Sequence, residues 1–465
     1  MRAKASVLVG LLWCVALLSI VVIGVLHLAR LNLMVVKNHG DGIQAHYLAL
    51  AGIEKAKALL YEDARNRSRS ARNHSSELYD APQHFRAVPL GRGQFQVFRR
   101  SQAGEPSGAV FGVSDEESRL NVNYATSEEL GQLEGMTPDV AAAILDWRDA
   151  DNEVTPGGAE ADYYASLQPP YQPRNGPFQT VRELLMVRGI SPDLLFGRRP
   201  DHGPALVLDE TDPEDSLASD GDAGLAEAGW AFVLTVDSSV QNVNAAGEDR
   251  VNIQSADENA LTQVKGITSD IAKAIVAYRA RTRLQSVADL LDVPAAQRQN
   301  QTRLTVSSDS SQDASSSPGS VPGQNTSASN PAGPKVVDES LLLDIADDLT
   351  AQSDDALPGL VNINTASLPV LACLPGLDRE LAQAIIAYRQ SSGAFPNIAW
   401  LLKVPGMNPQ LFKTVAPRVT ARSETFRILS EGRINSTGTR QRIQVVVHLD
   451  LHGLINTLSY REDDL

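Results

Sequence analysis

The residues with the clearest capacity for chemistry are five carboxylates in one turn-rich stretch, Asp149, Asp151, Glu153, Glu160 and Asp162, interleaved with Pro156, Gly157 and Gly158. Carboxylates gathered on a loop suit a hard cation such as Ca2+, which takes about six to eight oxygen ligands in flexible geometry. Their spacing is not that of an EF-hand, so taken by itself the stretch reads as a solvated acidic loop. The rest of the chain offers no catalytic set. Its eight histidines show no ligand spacing such as HExxH, no Gly-x-Ser-x-Gly elbow occurs, and no glycine-rich phosphate loop follows a strand. The chain reads as a protein that binds or assembles, not as an enzyme.

The elements that position the loop follow from a repeat. LNVNYATSEELGQLEGMTPDVAAAILDWR from Leu120 returns as VNIQSADENALTQVKGITSDIAKAIVAYR from Val251 and as VNINTASLPVLACLPGLDRELAQAIIAYR from Val361. In each, an asparagine (Asn121, Asn252, Asn362) stands fourteen positions before a glycine (Gly135, Gly266, Gly376). An isoleucine follows nine further on (Ile144, Ile275, Ile385), then an aromatic (Trp147, Tyr278, Tyr388). Fixed spacing of this kind marks a repeated supersecondary unit. Thr126 with Glu129, and Ser255 with Glu258, have the capping-box spacing. The third copy has Leu368 at that place. Each glycine ends a short helix, and Thr137, Thr268 and Asp378 cap a second one. The unit is helix, hairpin, helix.

Shorter echoes follow: GPFQTVRELLMVRGI after Asn175, GAFPNIAWLLKVPGM after Ser392 and, more weakly, LQSVADLLDVPA after Arg283. The three aromatics read as packing residues, Asn123 and Asn364 as turn caps, and Arg148 and Arg279 as partners of local acids.

Helix-hairpin-helix units often grip DNA backbones, which requires clustered cations. The net charge is −15, and among the residues flanking the hairpin glycines only Lys265 is a cation, so charge argues against a nucleic-acid partner. Cys14 and Cys373 form no disulfide framework and read as buried apolar side chains.

Val7 to Leu26 is apolar for about one membrane crossing, with Arg2 and Lys4 before it, which places the N-terminus in the cytoplasm. Helix formers continue to Tyr61, with Gly40, Asp41 and Gly42 as a place to kink. Gly93 to Arg100 alternates as a half-buried strand, and Phe426 to Leu429 and Ile443 to Leu449 supply two more. Val207 to Ala228 is acidic and Ser307 to Pro334 rich in Ser, Pro, Gly and Asn; both read as linkers.

A long helix, apolar and then amphipathic, is the architecture of pilins. ASVLVGLLWCVALLSI, QAHYLALAGIEKA, SDEESRLNVNYATSEEL and ILDWRDADNEVTPGGAEADYYASLQPPYQPRNGPFQTVRELLMVRGI resemble the K minor pseudopilins of type II secretion, and FRILSEGRI and RIQVVVHLD resemble that family's closing strands. The resemblance implies bound calcium, with Asp149, Asp151, Glu160 and Asp162 matching the family's acidic loop. It implies cleavage by prepilin peptidase between Ala5 and Ser6, although family members carry glycine where Ala5 stands. Gly10 then occupies mature position five, where ordinary pseudopilins carry a glutamate. The family usually shows two Asn-x-Asn units, whereas this chain has three.

The expected architecture is α+β: a long pilin helix, a small antiparallel sheet, and inserted all-α helix-hairpin-helix domains. The expected order is a leader over 1–5, a membrane helix over 6–29 and a pilin-like part over 30–115. Helical domains follow over 116–206, 239–305 and 341–422, separated by linkers over 207–238 and 306–340, with closing strands over 423–465. The implied function is to cap and nucleate the secretion pseudopilus at the inner membrane, with the bulk of the chain periplasmic. Implied partners are the I-type and J-type minor pseudopilins, the major pseudopilin, the inner-membrane secretion platform and prepilin peptidase. A tip subunit of a type IV pilus and a membrane-tethered DNA-uptake module are the alternatives.

Overall fold

The structure is a computed structural model and describes residues 2–70, 78–101, 109–197, 229–295, 335–450 and 454–463, without the side chains of 2–8 and 463. One helix, α1 (Arg2–Ser70), carries the N-terminal part and runs straight through Gly40 and Gly42. Its first half is apolar, with mean hydropathy 2.8 in the best window and none of that window buried. It is long and apolar enough to cross a membrane. Beyond it, Ala45, Leu48, Ala49, Ile53, Ala56 and Leu60 form a buried stripe at helical spacing. Asp41 ties the Gly-Asp-Gly triplet to the rest of the fold: it is buried, accepts from the Thr437 hydroxyl at 3.1 Å and faces Arg92 at 3.8 Å.

That stripe packs on a sheet of β1 (Val88–Leu90), β2 (Gly93–Val97), β3 (Ser114–Asp115), β4 (Thr425–Ile434), β5 (Arg440–Leu449) and β6 (Ile455–Asp463). The order is β1-β2-β4-β5-β6, all antiparallel, with β3 pairing the start of β4. Sequence patterning anticipates β2, β4 and β5 but misses β6, an edge strand whose Leu458 and Tyr460 are half exposed and whose alternation marks no buried face. The expected strand over 93–100 is also shorter: it stops at Val97, and Arg99–Arg100 turns away to pair with Ala109–Val110.

Gly432 decides how closely α1 approaches. A β-carbon there would collide with the Ala45 carbonyl and lie 2.6 Å from the Ala49 nitrogen and 2.8 Å from Leu48 Cβ. Gly432→Ala should therefore lower stability by about 1–3 kcal/mol in urea unfolding. Gly131→Ala, which meets open space at a helix end, should change little; equal effects would refute the close-approach argument.

Between β3 and β4 the chain forms the three repeats, which share one continuous apolar core. Each opens and closes with two-residue strands paired in parallel: Leu120–Asn121 with Leu234–Thr235, Val251–Asn252 with Leu349–Thr350, and Val361–Asn362 with Val419–Thr420. The expected boundaries therefore move. Residues 229–238 complete the first unit and 335–350 the second, with Trp230, Leu234, Val337 and Leu349 all buried. Gly229 packs against the Gly197 backbone, and the Val336 N–H donates to the Val293 carbonyl at 3.1 Å. Both intervening stretches thus leave and return at one point within a unit. The predicted linker segments Val207 to Ala228 and Ser307 to Pro334 themselves lie outside the described residues.

Gly135, Gly266 and Gly376 all take positive φ, as the hairpins require. Thr126 and Glu129 form the expected capping box, and Thr137, Thr268 and Asp378 cap the second helices. Ser255 and Glu258 do not form a box; the helix begins later, with Asp257 accepting from the Ala260 N–H at 2.7 Å. Asp257, two residues on, is as good a cap as Ser255 and takes the position.

The asparagines are clamps. Asn121 Oδ1 accepts from the Asn123 N–H, and Asn123 bonds both the N–H and the carbonyl of Phe178. Asn362 and Asn364 do the same with Phe395. Arg148, Arg279 and Arg389 donate to the carbonyls of Val122, Ile253 and Ile363, so backbone groups, not the expected local acids, receive them.

Candidate metal centre

The acidic loop hangs from two fixed ends. At the first, α2 (Ser127–Gly131) leads through the hairpin into α3 (Pro138–Arg148), whose Trp147 is 1% exposed. Trp147 stacks on Phe178 at 6.3 Å, meets Tyr164 edge-on at 5.1 Å and donates from Nε1 to Glu183 Oε1 at 3.1 Å. At the second, Glu160 precedes the short helix Ala161–Ala165, which Tyr164 pins to the same aromatic cluster. Between them Asn175 clips the loop, its Nδ2 reaching the Asp151 carbonyl at 2.6 Å and Asn152 Oδ1 at 2.9 Å.

This anchoring brings Asp146, Asp149 and Glu160 together, one carboxylate oxygen of each within 4.8 Å of the others. Asp146 and Glu160 are buried. The Thr155 N–H donates to both Asp146 oxygens, at 3.2 and 3.3 Å. Gly158 lies so close to that carboxylate that a β-carbon would overlap it. Both Glu160 oxygens and Asp149 Oδ1 are buried without a hydrogen-bond partner.

Carboxylate oxygens left unpaired in a dry site are expensive. Burial, then the charges of Asp146, Asp149 and Asp151, push Glu160 up to about 7. Burial, then Asp151 and Asp146, raise Asp149. The arrangement can relieve its repulsion by taking a proton or a hard cation. Oxygens each about 2.4 Å from one Ca2+ can lie at most about 4.8 Å apart, so the three carboxylates fit one ion.

Of the four sequence-derived ligands, Asp149 and Glu160 join this group. Asp151 is exposed and accepts from the Glu153 N–H at 2.8 Å, close enough to act through its charge. Asp162 is exposed on the first turn of its helix and stands outside the group, as does exposed Glu153. Sequence reading missed Asp146. The available signal was a carboxylate between Leu145 and Trp147, on the apolar side of the helix and one turn before Asp149.

Comparison with known proteins bears on the same segment. Residues 116–200 match the family model described as type II secretion system protein K. Residues 247–300 and 359–420 match that of the helix-hairpin-helix motif. The type II secretion system protein K of Pectobacterium carotovorum is 27% identical over 206 residues, spanning 43% of this chain and 62% of that protein's length. Over part of its length the chain is similar to type II secretion system protein K, and it spans less than two thirds of that relative.

ComE operon protein 1 of Bacillus subtilis is 38% identical over 73 residues, 16% of this chain and 36% of that protein. The GspK-GspI-GspJ complex from the enterotoxigenic Escherichia coli type 2 secretion system aligns with 92% of this chain and 99% of that chain, at 12% identity and a TM-score of 0.45. Ala5 and Ser6 lie where side chains are outside the described residues. Gly10 is on the open face of α1, with no heavy atom within 4 Å of the place a β-carbon would take.

Proposed function

We propose that this protein is a K-type minor pseudopilin that caps and nucleates the tip of the secretion pseudopilus, in a structural and not an enzymatic role. It works with I-type and J-type minor pseudopilins, and below them the major pseudopilin and the inner-membrane platform, in the export of folded proteins. It sits in the bacterial inner membrane as a single-pass protein, with a cytoplasmic N-terminus and the bulk of the chain periplasmic.

The observation that carries this reading is Gly10 on an uninterrupted apolar helix. With the chain cut after Ala5, mature position five lacks the carboxylate that would neutralise a neighbour's N-terminal ammonium. An unpaired charge in an apolar bundle is strongly disfavoured, so a subunit without that carboxylate fits where nothing lies above it. Packing within this chain does not require glycine there, because the position faces open space. The three helical units inserted in the sheet add bulk that would obstruct a further subunit.

The second part of the proposal is Ca2+ held by Asp146, Asp149 and Glu160, where it would supply the positive charge that the buried carboxylates lack. Its role is structural, fastening the loop to α3.

Co-expression with a prepilin peptidase, followed by intact mass measurement, tests the assignment. The expected product has lost Met1 to Ala5 and begins at Ser6. A chain that keeps its first five residues would be a permanent signal anchor, and the Gly10 argument would fail with it.

A further inference from the structure

The helical units meet the sheet at a seam in which three consecutive carboxylates are sealed: Asp115, Glu116 and Glu117, at 3%, 0% and 0% exposure. They are not equivalent. Glu116 faces Arg427 Nε at 2.8 Å and Arg119 Nε at 3.9 Å and accepts from the Thr235 hydroxyl at 2.5 Å. Burial alone would raise it, but these two guanidinium groups outweigh burial and hold it below the usual range.

Asp115 and Glu117 receive neutral donors. Asp115 accepts from the Ser423 hydroxyl at 2.5 Å, the Thr365 hydroxyl, Asn362 Nδ2 at 3.3 Å and the Glu117 N–H at 2.8 Å. Glu117 accepts from the Ser239 and Thr425 N–H groups, each at 3.1 Å. The Glu117 N–H bond to Asp115 Oδ1 holds the two acids side by side, and the charge of Asp115 acts directly on Glu117. These donors come from the segment after the first unit, from the third unit and from the chain entering β4, so the pair touches each part that the seam joins.

We infer that Asp115 and Glu117 share one proton, and that this proton fastens the helical units to the pilin sheet. Two neighbouring buried carboxylates that receive only neutral donors strongly disfavour ionising together in a dry site. One bridging O–H both removes a charge and supplies the missing donor. Burial raises both groups, Glu117 well above the usual range with Asp115 adding to it.

The neighbours do not supply the missing charge. Tyr79 is neutral, its hydroxyl pushed well up by burial and then by Asp115, with Arg67 acting on it in the opposite sense. Glu424 already pairs with Arg422 at 3.2 Å, and Asp237 faces Glu116. His448 Nδ1 lies 3.1 Å from the Thr425 hydroxyl and is a further titratable side chain at the seam.

The sign follows from linkage. The folded pair keeps a proton that unfolded carboxyls release above about pH 4.3, so the seam weakens as pH rises. A one-proton difference changes the closed-to-open ratio roughly tenfold per pH unit until the proton is lost.

Hydrogen exchange on the full chain in nanodiscs, between about pH 6 and about pH 9 and corrected for intrinsic rates, tests this. Protection at 114–121, 239–241, 361–365 and 423–427 should fall with a one-proton slope. Glu117→Gln, whose amide is a permanent donor, should remove the slope, and His448→Gln should keep it. A flat wild type, an unchanged slope in Glu117→Gln, or loss of the slope in His448→Gln would each overturn the inference. Should Glu117→Gln fail to fold, infrared difference spectra of the wild type decide. A protonated-carboxyl band lost on raising the pH over this range supports the shared proton, and its absence refutes it.

Discussion

Adding Ca2+ at pH 8 should raise the melting temperature of the full chain in detergent, and Glu160→Gln should remove most of that rise. An ion present at roughly 100 to 1,000 times its Kd contributes about 2.7–4 kcal/mol to the folded state. Without metal the order of the two proteins reverses. The folded chain holds Glu160 protonated up to about 7, whereas the unfolded chain releases that proton near its ordinary value of 4.5. Metal-free stability therefore falls as pH rises between those limits. Above them Glu160→Gln is the more stable protein, because it lacks the unpaired buried charge. Ca2+ competes with the proton, so its effect is larger at pH 8 than near pH 5. Asp146→Asn should weaken the response as Glu160→Gln does, while Asp162→Asn should leave it intact. A wild type whose melting temperature ignores millimolar Ca2+ at pH 8 would end the metal proposal.

Trp147→Ala is expected to cost about 3–5 kcal/mol in urea unfolding, the range for emptying a buried aromatic site. Its ring is 1% exposed and lies against Tyr164, Tyr171 and Phe178, and its Nε1–H is bonded to Glu183. The same substitution at Tyr278 should cost clearly less, since that ring is only half-buried against the common core. Because Trp147 fixes one end of the acidic loop, its loss should also weaken the calcium response. Equal costs at the two positions would mean that Trp147 is not the anchor described above.

These tests follow the line between what the residues announced and what they did not. The repeats were legible because a glycine needing positive φ, a capping residue after it and an aromatic one helix later recur at fixed spacing. The pilin helix and the central strands were legible from hydropathy and alternation. The closing strands of the first two units were not. Leu234–Thr235 and Leu349–Thr350 are two residues long, and each lies far along the chain from its partner, beyond a stretch that resembles a linker. At the acidic loop, counting carboxylates found Asp149 and Glu160 but could not tell inward from outward. Asp162 sits on the solvent side of a short helix, while Asp146 arrives from α3 through tertiary packing.

The insertion between β3 and β4 also sets an order of events during synthesis. Gln96 of β2 and Glu431 of β4 bond each other across 335 residues of chain. At about 5–20 residues per second the ribosome needs roughly 17–67 seconds to supply the second strand after the first. For that interval Ala49, Ile53 and Leu60 of α1 have no β4 or β5 to cover them. The apolar stripe that finally seats the sheet is thus, for much of the molecule's birth, an adhesive surface in need of a temporary escort.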